Sequence, residues 1–292
     1  MTAGRLDATP IQPASLVRDT ASLGEPDRYL AALLAPADKA PGLLAIAAFC
    51  AEIARIPATI REPMMGEIRL QWWRDAIATG SPVKASGHPV ADAVAEAIGI
   101  YHLETEPFLA IIDARAFDLT GDLHADISGL EAYMAATEGL PFALAARVMG
   151  LAELPDDVIR NAGLAYGLAR ALCRLPALIH NGGFPVPQSV LSEHGVNRGG
   201  LAERPFAAAT VSGVEKAVES LRQRAENALA EARVIVAKRS RETSVTFLPL
   251  AMVEPYFRVQ RRKEFRSVEQ IASVLPLTRI WCLARARLTG MP

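Results

Sequence analysis

The sequence contains few of the residues and motifs from which many enzymes build their sites. Only 3 cysteines occur in 292 residues, so we expect neither a disulfide framework nor a cysteine-based zinc site. Two of them, Cys50 and Cys173, lie on apolar helix faces and are predicted to be buried, unreactive thiols. No phosphate-binding glycine loop, dinucleotide fingerprint or Gly-x-Ser-x-Gly turn is present. These absences argue against the common nucleotide-dependent and hydrolytic enzymes.

The chain also lacks an excess of either charge. It has 31 Lys+Arg against 32 Asp+Glu, which gives a formal net charge of −1. A nucleic-acid-binding protein needs a strongly basic face to neutralise phosphates. We therefore expect no nucleic-acid partner.

Long apolar runs are absent as well. The longest, Leu43 to Cys50, is shorter than the ~18–20 residues that span a bilayer. Residues 1–24 do not have the basic-then-apolar order of a secretory signal. They are predicted to form a loosely ordered leader before a single domain at 25–292. We expect a cytoplasmic protein, with peripheral contact to the inner membrane as the alternative.

What the sequence does contain is helical periodicity. Apolar residues recur at i, i+3, i+4 and i+7, as in Leu43, Ile46, Ala47 and Cys50. No alternating strand pattern, hairpin turn or fixed-period repeat interrupts this pattern. The sequence therefore predicts one all-α domain of roughly nine helices.

Three segments stand out as candidate sites. The first contains Arg69, Gln71, Trp72, Trp73 and Arg74 on one predicted helix. We expect Trp72 to face the core, with Trp73 about 100° around the helix. The segment is predicted either to be core packing with a charged edge or to form an aromatic wall with Arg69 or Arg74 aimed at an anion.

The second segment is rich in aspartate. Asp113 precedes Asp118, Asp122 and Asp126, which recur at intervals of four residues. Carboxylates on one helix face are suitable ligands for Mg²⁺. However, Thr120-Gly121 interrupts the helix, so a solvated helix end is the alternative to a metal site.

The third segment is a row of Tyr166, Arg170 and Arg174 on the sixth predicted helix. Arg174 lies among leucines, where a cation must pair with a carboxylate, meet an anionic ligand or extend to solvent. A structural ion pair and an anion site are both consistent with this row.

Taken in order, several segments resemble the squalene/phytoene synthase family over roughly Asp27 to Arg262. The resemblance implies an all-α isoprenoid-synthase fold. In active members, two facing Asp-rich helices hold prenyl diphosphates through Mg²⁺, which neutralises the departing diphosphate. The segments that carry it are Ala47–Ala54, Arg69–Arg74, His88–Val90, Phe117–Leu119, Leu130–Tyr133, Ala162–Leu168, Phe184–Pro187 and Gly195-Val196.

This chain departs from the family pattern at both metal-binding positions. Ala54-Arg55 stands at the first and Cys173-Arg174 at the second. The resemblance thus implies that Mg²⁺ binding and head-to-head synthase activity are absent, with no cofactor and no catalytic residue. Within the family, Phe49 to Ala54 and Arg69 to Trp73 are most similar to a non-catalytic branch of mitochondrial complex I assembly factors. That similarity implies a respiratory complex subunit as partner.

Replacing aspartate by arginine also predicts a pocket that seeks anions. Arg55 and Arg174 would hold a phosphate or carboxylate directly, and an apolar interior would hold the tail of a prenyl phosphate, lipid or quinone-like ligand. One alternative is an active prenyltransferase with Mg²⁺ on Glu52 and the acids from Asp113 to Asp126. Another is a helical interaction scaffold whose pocket is filled. The candidate pocket residues are Phe49, Glu52, Arg55, Arg69, Gln71, Trp72, Arg74, Tyr166, Arg170 and Arg174.

Overall fold

The computed structural model describes residues 13–60, 62–79, 86–151, 154–181, 183–203, 205–237 and 243–292. This part of the chain is built from helices and contains no strand, which confirms the all-α prediction. The first eight α-helices are α1 Pro13–Gly24, α2 Pro26–Leu33, α3 Ala40–Thr59, α4 Pro63–Thr79, α5 Pro89–Tyr101, α6 Glu106–Ala116, α7 Ile127–Met134 and α8 Leu140–Val148. The others are α9 Asp156–Cys173, α10 Leu175–His180, α11 Gln188–Glu193, α12 Arg198–Ala202, α13 Ala208–Val236, α14 Val253–Gln260 and α15 Pro276–Thr289.

Three tighter or wider helical turns complete the described elements. Phe117–Leu119 and Thr243–Met252 are 3₁₀-helices, and Ala135–Gly139 is a π-helix between α7 and α8. The described residues form fifteen α-helices, more than the roughly nine that the sequence predicts, because short helices such as α11 and α12 are not predicted and the sixth predicted helix is divided. This sixth helix is divided at Arg174 into α9 and α10, because Pro176 cannot donate the hydrogen bond that would continue α9.

Two helices, α3 and α9, form the centre of the fold. Helix α3 packs against α1, α2, α5 and α8, whereas α9 packs against α13, α14 and the π-helix. Helix α3 has the length and apolar composition of a membrane span, although no uninterrupted apolar run in it is long enough. Because 72% of its most apolar window is buried by other helices, it serves here as a core helix.

Glycines on α9 allow a close approach to the π-helix. A Cβ at Gly163 would lie 2.7 Å from both the Met134 carbonyl oxygen and the Gly139 amide nitrogen. These contacts are shorter than any real Cβ contact, so only glycine permits this backbone packing. The approach brings the π-helix residue Glu138 into the interior beside α9.

The prediction of a loosely ordered leader at residues 1–24 is wrong for residues 13–24. These residues form α1, which packs on α3 and buries Val17 and Ala21 in the core. The sequence does not predict this helix, because its apolar residues are few and separated by polar ones. Residues 1–12 of that predicted leader lie outside the described residues.

Candidate functional site

A cavity of about 180 Å³ lies between the end of α3 and the helices α6, α7, α9 and α10. Its floor is buried and contains Leu130, Met134 and Gly167 together with the carboxylate of Glu138. Its rim is exposed and contains Asp122, Arg174 and Asn181, among others. A pocket therefore persists here, which argues against the hypothesis of a filled scaffold.

The floor of the cavity ends on a buried group that we call the Glu138 cluster: Glu25, Arg28, Arg115, Glu138 and Arg170. Glu138 accepts hydrogen bonds at 3.0 Å from Arg28, Arg115 and Arg170. Glu25 pairs with Arg28 at 2.7 Å and with Arg170 at 2.8 Å. Burial alone would raise the pKa of Glu138, but the three guanidinium groups lower it to about 2.

A second buried group lies directly behind this cluster. The Asp27 carboxylate accepts hydrogen bonds from Tyr166 at 3.0 Å and from Tyr256 at 2.7 Å, and it forms an ion pair with Arg279 at 2.7 Å. Burial raises the pKa of Asp27 in spite of these partners. Tyr166 is fully buried under the guanidinium of Arg28, so it supports the cluster and does not line the cavity.

The acids that line the cavity do not fit a magnesium site. Glu138 is bound by three arginines, and Asp118 is bound by Arg115 at 3.2 Å and by the Tyr133 hydroxyl at 2.7 Å. Asp122 pairs with Arg198 at 3.0 Å on the surface. A cation would have to displace a guanidinium from each carboxylate, and the described residues contain no group of three acidic, histidine or cysteine side chains that could hold a metal.

Asp113 belongs to another part of the surface. It pairs with Arg74 at 2.7 Å, and its side chain is mostly exposed. Of the four aspartates predicted as substitute ligands, Asp113, Asp118 and Asp122 each pair with a different arginine. Asp126 accepts a hydrogen bond from the Gly129 N–H at the start of α7. The structure therefore does not bring them together around one ion.

Arg174 differs from the buried arginines of the cavity. It follows the last residue of α9, is exposed at the rim, and has no side-chain hydrogen-bond or ion-pair partner among the described residues. Partial burial, and then repulsion from Arg170, lower its pKa. An unpaired guanidinium at a cavity rim can receive an anion without first breaking a bond to the protein.

The predicted pairing of Arg55 with Arg174 across a pocket is wrong. The Arg55 side chain is 64% exposed, binds Glu52 at 3.0 Å and is not among the residues that line the cavity. Helix α3 turns Ala54, Pro57 and Ala58 toward the cavity instead. Phe49 is also outside it, since this residue is fully buried in the core against Trp73 and Phe108.

The residues predicted on α4 lie on an outer surface away from the cavity. Arg69 stacks on Trp72, and Gln71 donates a hydrogen bond to Asp75 at 2.8 Å. Arg74 binds Glu67 at 2.7 Å in addition to Asp113. We also expected Trp72 to face the core, and this is wrong: Trp73 is the fully buried tryptophan and Trp72 is half-buried.

Comparison with known proteins identifies the family. The sequence model of the family described as squalene/phytoene synthase matches residues 23–281 of this chain. The chain belongs to the squalene/phytoene synthase family. This result confirms the family that the sequence motifs indicated.

The squalene/phytoene synthase fold is also the one found in solved structures similar to this one. A dehydrosqualene synthase superposes with a TM-score of 0.77 at 17% identity, covering 95% of this chain and 96% of that one. The squalene synthase HpnC from Alicyclobacillus acidocaldarius gives 0.66 at 17% identity, with 95% and 94% covered. YisP from Bacillus subtilis subsp. subtilis strain 168 gives 0.67 at 17% identity, with 93% and 95% covered. At these identities the likeness concerns the fold.

The relatives that are similar in sequence are named as assembly factors and not as synthases. The NADH dehydrogenase (ubiquinone) complex I, assembly factor 6 of Rattus norvegicus is 26% identical over 257 residues, covering 86% of this chain and 76% of the relative. The Mus musculus protein of the same name has the same identity and coverage. The chain is thus similar in fold to synthases and similar in sequence to assembly factors.

Sequence reasoning missed the most connected charged residues of this squalene/phytoene synthase family member: Glu25, Arg28, Arg115 and Glu138. One signal was available for Glu138. It follows Leu130 and Met134 at intervals of four, so the pattern places a carboxylate in a buried register. A charge in that register must be paired, and the search for its cations would have led to the arginines.

The cysteines agree with the prediction of unreactive thiols. Cys50 and Cys173 are buried, and burial raises the pKa of each to about 12. Both thiols are therefore protonated at neutral pH and unsuited to nucleophilic chemistry.

Proposed function

We propose that this protein is a non-catalytic member of the squalene/phytoene synthase family that assists assembly of a respiratory NADH dehydrogenase. The observation that carries the proposal is the state of the cavity acids. Glu138 and Asp118 are bound by Arg28, Arg115 and Arg170, so they are neutralised before any ligand arrives. The names of the rat and mouse relatives support the assembly role.

The size of the cavity supports the non-catalytic part of the proposal. A head-to-head prenyl synthase must hold two prenyl diphosphates, and it must stabilise both the departing diphosphate and the carbocation that is left. Pockets for single small molecules usually enclose about 300–1,000 Å³, whereas this cavity encloses about 180 Å³. We therefore expect no cofactor requirement and no diphosphate release.

A membrane-peripheral location follows from the proposed client. A ubiquinone-linked dehydrogenase takes a lipid as its substrate, so its assembly takes place at a membrane. The described residues offer α3 as the one helix that is long and apolar enough to cross a bilayer, and it is mostly buried in the bundle. We propose contact with the membrane surface through the folded domain.

Deletion of the gene tests the assembly role directly. We expect respiratory NADH oxidation to fall while the polyprenoid profile is unchanged. Complementation with Asp122→Asn should restore NADH oxidation as fully as the native gene, because a non-catalytic role does not need this exposed acid. A changed polyprenoid profile with normal NADH oxidation would refute the proposal and favour the prenyltransferase alternative.

A second candidate function is metal-free binding of an anionic isoprenoid or lipid. The specific observation that favours it is the unpaired Arg174 at the rim above a floor that contains Leu130 and Met134. Because the cavity encloses only about 180 Å³, such a site would hold the phosphate head and the first carbons of a prenyl phosphate or lipid, with the rest of the tail outside. A thermal-shift assay with farnesyl diphosphate should show stabilisation that persists in EDTA; stabilisation that disappears in EDTA would overturn this candidate.

A further inference from the structure

The C-terminal helix α15 has two apolar faces, and only one of them packs against the protein. Leu283 and Ala286 are buried where α15 meets α2 and the 3₁₀-helix Thr243–Met252. A second stripe faces solvent and covers about 100° of arc around the helix axis, at 100° per residue. We call this stripe the α15 outer face; its exposed members are Leu277, Ile280, Trp281 and Leu288.

The exposure of this face is large for apolar residues. Leu277 is 80% exposed, Leu288 76% and Trp281 69%. Leu275 and Ile271, which precede the helix, are also exposed. Scattered single apolar residues are ordinary on protein surfaces, but a continuous stripe of this kind marks a contact site.

Positive charge accompanies the apolar stripe. Residues 243–292 contain eight arginines and lysines but only three acidic residues, whereas the whole chain has a net charge of −1. The guanidinium groups of Arg285 and Arg258 lie near the Cys282 thiol at one flank of the stripe; the nearby carboxylate of Glu254 already pairs with Arg233. Arg285 and Arg258 are both exposed.

We infer that the α15 outer face binds the surface of an anionic lipid bilayer. The helix would lie in the plane of the membrane, with Leu277, Trp281 and Leu288 inserted among the lipids. Arg258 and Arg285 would contact the acidic headgroups. This inference deepens the proposed membrane-peripheral role and rests on it, since it names the surface through which the protein reaches the membrane.

A bilayer fits these observations better than a protein partner does. The apolar side chains project from the outer face of a single helix, and Arg285 and Arg258 lie at one flank of it. This is the composition of helices that lie at lipid interfaces, where apolar burial and attraction to anionic headgroups act together. Trp281 is suited to the same place, because its ring is apolar and its indole N–H can reach water or headgroups.

Binding to vesicles tests the inference with the full chain. We expect the protein to sediment with vesicles of phosphatidylcholine and phosphatidylglycerol and to bind at least about tenfold more weakly to phosphatidylcholine alone. The emission of Trp281 should shift to shorter wavelength and be quenched by brominated lipids. The other tryptophans report little, since Trp73 is buried and Trp72 is half-buried.

Matched variants separate this surface from general stickiness. Leu277→Gln, Trp281→Gln and Leu288→Gln together should weaken vesicle binding by at least about tenfold. The control carries Leu23→Gln, Ile100→Gln and Met64→Gln, which change three exposed apolar residues elsewhere and should bind like the native chain. Circular dichroism of both variants checks that they are folded.

Several outcomes would overturn the inference. These are no sedimentation of the native protein, equal binding to neutral vesicles, or equal loss in the control variant. A native dimer that becomes monomeric in the α15 variant would assign the face to a second copy of the chain. If the α15 inference fails, only the vesicle-binding results change. If the assembly role fails, respiratory NADH oxidation does not fall when the gene is deleted, so the two failures are distinguishable.

Discussion

The floor and the rim of the cavity use arginine in opposite ways. At the floor, Arg28, Arg115 and Arg170 surround one carboxylate, Glu138, and are buried with it. At the rim, Arg174 is exposed and has no side-chain partner among the described residues. A buried guanidinium must be neutralised by the protein itself, whereas one at the surface is stabilised by water and stays available. The same residue type is therefore structural at one end and available to a ligand at the other.

Removing the carboxylate at the floor should have the largest effect. Glu138→Gln leaves three buried guanidinium groups with one acidic partner fewer, and we expect the free energy of unfolding to fall by about 3–5 kcal/mol. Urea denaturation measures this change. Asp122→Asn removes the partner of Arg198 at the exposed rim and should cost less than about 1 kcal/mol. Equal losses in the two variants would remove the distinction between floor and rim.

Adding a methyl group where α9 contacts the π-helix should have the next largest effect. Gly163→Ala places a methyl group 2.7 Å from backbone atoms of the π-helix, and we expect destabilisation by about 1–3 kcal/mol. Gly99 in α5 is the matched control, because a Cβ there meets no atom within 4 Å. Gly99→Ala should be neutral or stabilise by up to about 1 kcal/mol. Thermal unfolding of the two variants in parallel would reveal whether close backbone packing matters.

Changing the rim arginine should affect binding and leave stability almost unchanged. We expect Arg174→Gln to weaken metal-free binding of farnesyl diphosphate about tenfold, because one charge-assisted contact is lost. Isothermal titration in EDTA provides the affinity. Arg55→Gln is the control, since Arg55 lies outside the cavity and pairs with Glu52. Similar affinities for all three proteins would show that the rim does not select anions.

The smallest effect concerns the histidine in the cavity wall. His124 stacks on Phe117 at 4.4 Å, and burial lowers its pKa below 6.5 in spite of the nearby Asp118. The unfolded chain therefore takes up a proton first as the pH falls, so the free energy of unfolding decreases below pH 6.5. Burial also lowers the pKa of His88. His124→Gln should flatten, but not abolish, this decrease in denaturation curves between about pH 5 and 7.

The sequence predicted the fold through periodicity and the family through the order of its motifs. It predicted the site less well, because helical phase must be known to within one residue. Trp72 and Trp73 differ by 100° around α4. The sequence predicts that Trp72 faces the core, whereas Trp73 is the buried one. The family resemblance predicts Arg55 in the pocket, because Arg55 stands where active members have an acid, but α3 turns its neighbour Ala54 inward. For the row of Tyr166, Arg170 and Arg174, the sequence predicted either a structural ion pair or an anion site. Arg170 forms the structural ion pairs, whereas Arg174 lies at the rim, where an anion could bind.

The Glu138 cluster could not be found from local patterns for another reason. Arg28 and Glu138 are separated by 110 positions, and Arg170 and Glu25 by 145. No spacing rule links residues so far apart in the chain. Only the π-helix, which accommodates the close approach of Gly163, brings the carboxylate to its arginines.

The contacts of Asp27 have a consequence for synthesis on the ribosome. Asp27 is synthesised early, whereas its partner Tyr256 follows 229 positions later and its partner Arg279 follows later still. Until those residues emerge, the first helices hold an acid whose cation has not yet been made. We expect the nascent chain to remain dependent on chaperones until Arg279 has left the ribosome, and a stop codon shortly before Arg279 to yield a product that proteases remove.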